Sequence, residues 1–188
     1  MYRLLLIISL IPIVIALVAR WWFGLRVLAT VGARACRCDL ACWMPAPGDE
    51  AAVHRAENSA ADFGRELRLK ALEEWHARDP KAAKAREGAH RFGMAVPPLS
   101  GIIAVMGLLV GRIPPVGAIA ILLAASALAA AFSLLSLPNE LRAIANCARG
   151  MRENKSFPAE ADEMAVVECA MAHAWDAALP PVLRWLQR

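Results

Sequence analysis

The chain has 188 residues, of which 59% are hydrophobic, with 21 Lys and Arg against 17 Asp and Glu. That apolar share exceeds what an ordinary soluble domain carries, and the length leaves no room for several membrane spans plus a large independent enzyme domain. The net charge of +4 does not call for a nucleic-acid partner, because the cations are mixed with acids and gather at the ends of apolar stretches, where membrane topology accounts for them.

Leu4 to Ala19 is apolar throughout and ends at Arg20-Trp21-Trp22-Phe23, a cation beside aromatic rings of the kind found at a membrane surface. Bulky residues follow directly and no small-x-small cleavage site precedes Arg20, so an uncleaved anchor over residues 1–25 is expected. Leu25, Leu28, Gly32, Ala35, Cys36, Leu40 and Trp43 then recur at helical spacing, which predicts a stalk helix up to Pro45, Pro47 and Gly48. A second helix is expected from Asp49 to Arg78, with Ala56, Ala60, Phe63, Leu67, Ala71 and Trp75 on one stripe and Leu69 and Leu72 on another. Asp79-Pro80 starts a further helix that runs into the next apolar stretch. Residues 26–91 thus read as a water-facing helical connector.

From Phe92 to Leu137 the only charge is Arg112, inside Gly-Arg-Ile-Pro-Pro between two stretches long enough to cross about 30 Å of hydrocarbon. This is a transmembrane hairpin, residues 92–137. Gly107 and Gly111 form G-x-x-x-G, and with Ala120, Ala124 and Leu128 they predict close packing of the second and third spans, dimerisation being the lesser reading. Ser136-Leu137-Pro138-Asn139-Glu140 reads as a break and a new helix start, with Gly150 as its C-cap. A last helix is expected from Ser156-Phe157-Pro158 to Pro180-Pro181, packed at the membrane surface, since Glu168, His173 and Asp176 oppose a fourth span. Residues 138–188 complete an all-α chain of three transmembrane helices with a cytoplasmic helical region.

The cations set an orientation. Arg20, Arg26, Arg34 and Arg37 follow the first span, Lys81, Lys84, Arg86 and Arg91 precede the second, and Arg142, Arg149 and Arg152 follow the third, leaving Arg3 and Arg112 on the other side. The N-terminus is therefore expected in the periplasm and the C-terminus in the cytoplasm, in a bacterial inner membrane.

Candidate chemistry is sparse. Cys36, Cys38 and Cys42 form C-x-C-x-x-x-C, which on a helix puts Cys38 and Cys42 one turn apart with Arg34 one turn earlier; ordinary reduced thiols are favoured over a reactive thiol or a soft-metal site. His54 and Glu57 would stand on adjacent helix turns, a pair short of the three protein ligands that zinc needs. His76 and His90 read as solvent-facing, His173 as a hydrogen-bonded structural group, and Cys147 and Cys169 as packing residues. No phosphate-binding, acyl-transfer or dinucleotide motif occurs.

Ser133-Leu-Leu-Ser-Leu-Pro-Asn-Glu-Leu-Arg-Ala, together with the order of anchor, helical connector, hairpin and an Ala-rich helix holding Ala-His-Ala-Trp, resembles the membrane half of bacterial YugP-type neutral zinc metallopeptidases. The resemblance implies that Glu140 stands where that family has a metal-ligand glutamate. The family's His-Glu-x-x-His helix is missing, and with it two ligands and the general base. The expectation is a noncatalytic scaffold or docking protein whose partners are the lipid bilayer and another protein or a second copy met through the spans. The alternative is a zinc peptidase whose metal is held by Glu140 with His54 and Glu57.

Overall fold

The computed structural model describes residues 2–38, 56–179 and 183. It is mostly helical. Helix α1 runs Tyr2–Ala19, a π-helical stretch covers Arg20–Leu25, and α2 is Arg26–Thr30. Strands β1 (Ala35–Cys38) and β2 (Ala56–Ser59) follow, then α3 (Ala60–Arg78), α4 (Pro80–Leu109), α5 (Pro115–Glu153) and α6 (Glu160–Ala177). Among the described residues three helices are long and apolar enough to cross a membrane: Leu6–Thr30, Pro80–Leu109 and Pro115–Glu153. The chain divides into two units, one of Met1–Arg20, Lys81–Pro138 and Ala177–Arg188, the other of Trp21–Pro80 and Asn139–Asp176.

In the first unit Ile13 and Ala16 of α1 pack with Ala127 and Ala130 of α5 and with Leu179 and Leu183, and Leu17, Leu123 and Leu134 close around them. Large apolar side chains also point outward, among them Ile7, Ile11, Ile15, Leu99, Ile102, Met106, Ile119 and Leu128. Water would penalise such a surface at about 25 cal/mol per Å², whereas hydrocarbon would not. Between α4 and α5 the chain turns as expected. Gly111 has φ +69°, a left-handed conformation that favours glycine, and the amides of Arg112 and Ile113 donate to the Gly107 carbonyl at 3.0 and 3.2 Å. A Cβ on Gly107 would stand 2.3 Å from Ile113 Cδ1. Both glycines of the G-x-x-x-G therefore serve the turn. Contact between α4 and α5 is made elsewhere, by Gly101 against Leu122 and by Phe92 edge-on to Phe132 at 5.3 Å.

The break expected at Pro138 does not occur; α5 runs through it to Glu153. A proline removes one amide from the ladder, here the donor to the Leu134 carbonyl, and long apolar helices tolerate that loss. Here Arg86 donates to the Ser133 carbonyl and to Ser136 Oγ at 2.8 Å each, and Ser136 Oγ donates back to the Phe132 and Ser133 carbonyls at 3.0 Å. Gly150 lies inside α5, and the left-handed residue just beyond the helix end is Lys155, with φ 51°.

The second unit corrects the connector. The stalk helix stops at Thr30, and Ala35–Cys38 is a strand paired antiparallel with Ala56–Ser59, Cys36 opposite Asn58 and Arg37 opposite Glu57. Its alternation has period two: Cys36 and Cys38 are buried, Ala35 and Arg37 exposed. The second helix begins at Ala60, not at Asp49, because Ser59 caps it: the Asp62 amide donates to Ser59 Oγ at 3.1 Å while the Ser59 hydroxyl donates to Asp62 Oδ2 at 2.6 Å. Leu40, Cys42 and Trp43 lie outside the described residues.

Within this unit α3 buries Phe63, Leu67, Ala71 and Trp75, the predicted stripe. Helix α6 buries Ala165, Val166, Cys169, Ala170, Ala172 and Ala174 and forms part of a core, where the sequence predicts a helix packed at the membrane surface. The two helices touch at Gly64, where an added Cβ would lie 2.7 Å from Cys169 Cβ and 2.8 Å from the Ala170 amide nitrogen. Phe63 meets Phe157 edge-on at 6.5 Å, and Phe23 stacks on Trp175 at 5.1 Å.

Candidate functional site

The residue with the strongest expectation attached to it, Glu140, is a buried carboxylate in the second unit, only 1% exposed. It lies in the interior of α5, so the role of dipole-complementing acid at a helix start does not apply. Arg68 reaches it from α3, donating from Nε to Glu140 Oε1 at 2.7 Å. Leu67 and Ala71 hold α3 against the core, and the adjacent Arg68, on the shoulder of that stripe, brings its planar head to the acid.

This arrangement speaks against a metal at Glu140. A guanidinium at hydrogen-bond distance already neutralises the carboxylate and would repel a divalent cation brought to the same oxygen. Removing a buried carboxylate's counter-charge is costly, so the pair is also a structural clamp between α3 and α5.

Glu57 stands on strand β2, not on a helix, where it is exposed and paired with Arg37 across the two-stranded sheet. His54 lies outside the described residues. His76 and His90 are exposed. His173 is half-buried with Nε2 2.9 Å from the Ala61 carbonyl oxygen, the structural hydrogen bond expected of it. Among the described residues no group of three or more His, Cys, Asp or Glu side chains could hold a metal ion.

The thiols are likewise placed for packing. Cys36, Cys38, Cys147 and Cys169 are buried. Burial pushes the Cys36 thiol above its ordinary range and Asp162 adds to this, outweighing the opposing pull of Arg34. The Cys169 thiol is pushed up to about 11, chiefly by burial and further by Cys36 and Glu168. Arg34, which a continuous helix would have put one turn before Cys38, is held by Asp162, whose Oδ1 accepts from its guanidinium at 3.1 Å while Oδ2 accepts from the Arg37 amide at 3.3 Å. Asp162, in the first turn of α6, thereby ties β1 to that helix.

Sequence reading misses Arg68 and Asp162. Each is an ordinary surface-type residue whose partner lies far away in the chain, and the only local signal is a cation next to the buried position Leu67. Comparison with known proteins gives no match to a family model, a curated protein or a solved structure.

Proposed function

We propose that this chain is a noncatalytic, three-span protein of a bacterial inner membrane, with its N-terminus in the periplasm and its C-terminus in the cytoplasm, and that its second unit is a docking or scaffolding body. The resemblance of residues 133–143 to YugP-type metallopeptidases makes it a degenerate relative that keeps the membrane frame. The observation that carries the reading is the Arg68–Glu140 pair: the one glutamate that the resemblance marks as a ligand is satisfied by a guanidinium at 2.7 Å. Three apolar helices and the cations flanking them support the topology.

Metal analysis of the detergent-purified full chain tests this. The expected outcome is far less than one zinc per chain, unchanged in Glu140→Ala; stoichiometric zinc lost in that variant would overturn the reading in favour of a peptidase. The orientation is checked by impermeant thiol labelling of a cysteine placed at Lys84, which should be protected in intact cells and reactive in inverted vesicles.

A further inference from the structure

Two surface features of the second unit complement each other. The first is a groove between the end of α5 and α6, a cavity of about 350 Å³ lined by Ala148, Met164, Val167 and Met171, with Arg149 on the α5 rim and Glu168 on the α6 rim. Met164 is 53% exposed there. Arg142 and Arg149 are exposed on one face of α5, at seven-residue spacing, whereas nearby Arg152 is already neutralised by Glu163 at 2.8 Å. The groove thus offers an adaptable thioether floor beside Arg149, with Arg142 two turns earlier on the same face of α5.

The second feature is the outer face of α3. Glu66, Leu69, Leu72, Glu73 and His76 recur at three- and four-residue spacing opposite the buried stripe, with exposed Arg65 on the same face, and Leu69 is 55% exposed. Two leucines flanked by two glutamates are what a Met-lined groove with an arginine rim would receive in a helix-in-groove contact.

We infer that these features meet between two copies of this chain: α3 of one copy lies in the α5–α6 groove of the other, Leu69 and Leu72 beside Met164 and Met171, Glu66 facing Arg149 and Glu73 facing Arg142. Exchanged reciprocally, the contact closes on a two-fold axis. It rests on the reading of this unit as water-facing, because only in water do an exposed Leu69 and Met164 gain by being covered.

The test is cross-linking in native membranes. Leu69→Cys and Met164→Cys chains with different tags are co-expressed and treated with a short bismaleimide, each also run against the unsubstituted chain to measure background from the native cysteines. The expected result is a two-tag adduct at least about tenfold above both backgrounds, falling at least about fivefold when the Met164→Cys chain also carries Arg149→Glu, and recovering when the Leu69→Cys chain carries Glu66→Arg. No adduct above background overturns the proposal, as does an adduct indifferent to the charge changes. Labelling with a single maleimide then tells water exposure from cover by lipid. Zinc content is read on the same membranes after purification, so failure of the contact and failure of the noncatalytic reading register separately.

Discussion

In the first unit α1, α4 and α5 turn Ile, Leu, Met and Val outward while Ala16, Ala127 and Ala130 lie inside, whereas in the second unit α6 also keeps Ala165, Ala170, Ala172 and Ala174 inside but turns carboxylates to its surface. Glu160 and Glu168 of that helix are exposed and Glu163 is half-buried. Small residues let helix backbones approach closely in either solvent, so they do not report which solvent surrounds them. The outward residues do. The comparison teaches that an alanine-rich helix is assigned to lipid or water by its exposed face and not by its mean hydropathy.

The largest effect that would sharpen this contrast is expected at Arg68. Arg68→Ala strips the guanidinium from a carboxylate that is 1% exposed, and breaking a buried pair costs about 3 to 5 kcal/mol. Arg68 itself is partly exposed, which puts the expectation at the lower end, about 3 kcal/mol. Chemical unfolding of the detergent-purified variant measures it. Arg68→Ala with Glu140→Gln should recover part of the loss, because the double variant leaves no buried charge. A zinc-dependent gain in stability in Arg68→Ala would instead reveal a metal site that the arginine had closed.

A smaller effect compares one glycine from each unit. At Gly64 an added Cβ would collide with the backbone and Cβ of α6 at 2.7 to 2.9 Å, atoms that can move only if the helix moves. At Gly107 the collision is with the far end of the Ile113 side chain, which can rotate away. Gly64→Ala should therefore cost about 2 to 3 kcal/mol and Gly107→Ala under about 1 kcal/mol, as read from unfolding of the two variants side by side. Equal costs would mean that the α3–α6 contact yields as easily as the hairpin turn.

How much of this is legible in the sequence depends on the range of the signal. The hairpin turn is local: Gly111 and the Pro114-Pro115 pair punctuate two long apolar runs, and the structure ends α4 at Leu109 and begins α5 at Pro115. The α3 stripe is legible for the same reason, since Phe63, Leu67, Ala71 and Trp75 repeat over many turns. Strand β1 is not, because Cys36 and Cys38 satisfy period two over four residues while Cys36 also fits a sparse helical series with Leu28 and Gly32. Pro138 misleads because Leu-Pro-Asn-Glu carries the local marks of a helix break and restart, yet α5 runs through it. The candidate site fails similarly: Glu140 can be singled out, but its partner Arg68 is 72 positions away, and nothing local marks the pair.

The smallest effect concerns the thiols and the pH at which the second unit loosens. Burial raises the Cys169 thiol to about 11 in the folded chain, above its ordinary value of 9.0, and raises Cys36 in the same direction. The folded state thus holds these protons more tightly than the unfolded state does. The Cys169 contribution to stability is fully present below about pH 9 and is lost as pH rises from there through about 11, and the Cys36 contribution has the same sign. Unfolding midpoints should accordingly hold steady from about pH 7 to about 8.5 and fall between about pH 9 and 11, with Cys169→Ala flattening that fall. Maleimide labelling near neutral pH checks the premise independently: Cys36 and Cys169 should stay unmodified until denaturant is added, and rapid labelling of either in the folded chain would show that β1 and α6 open in water.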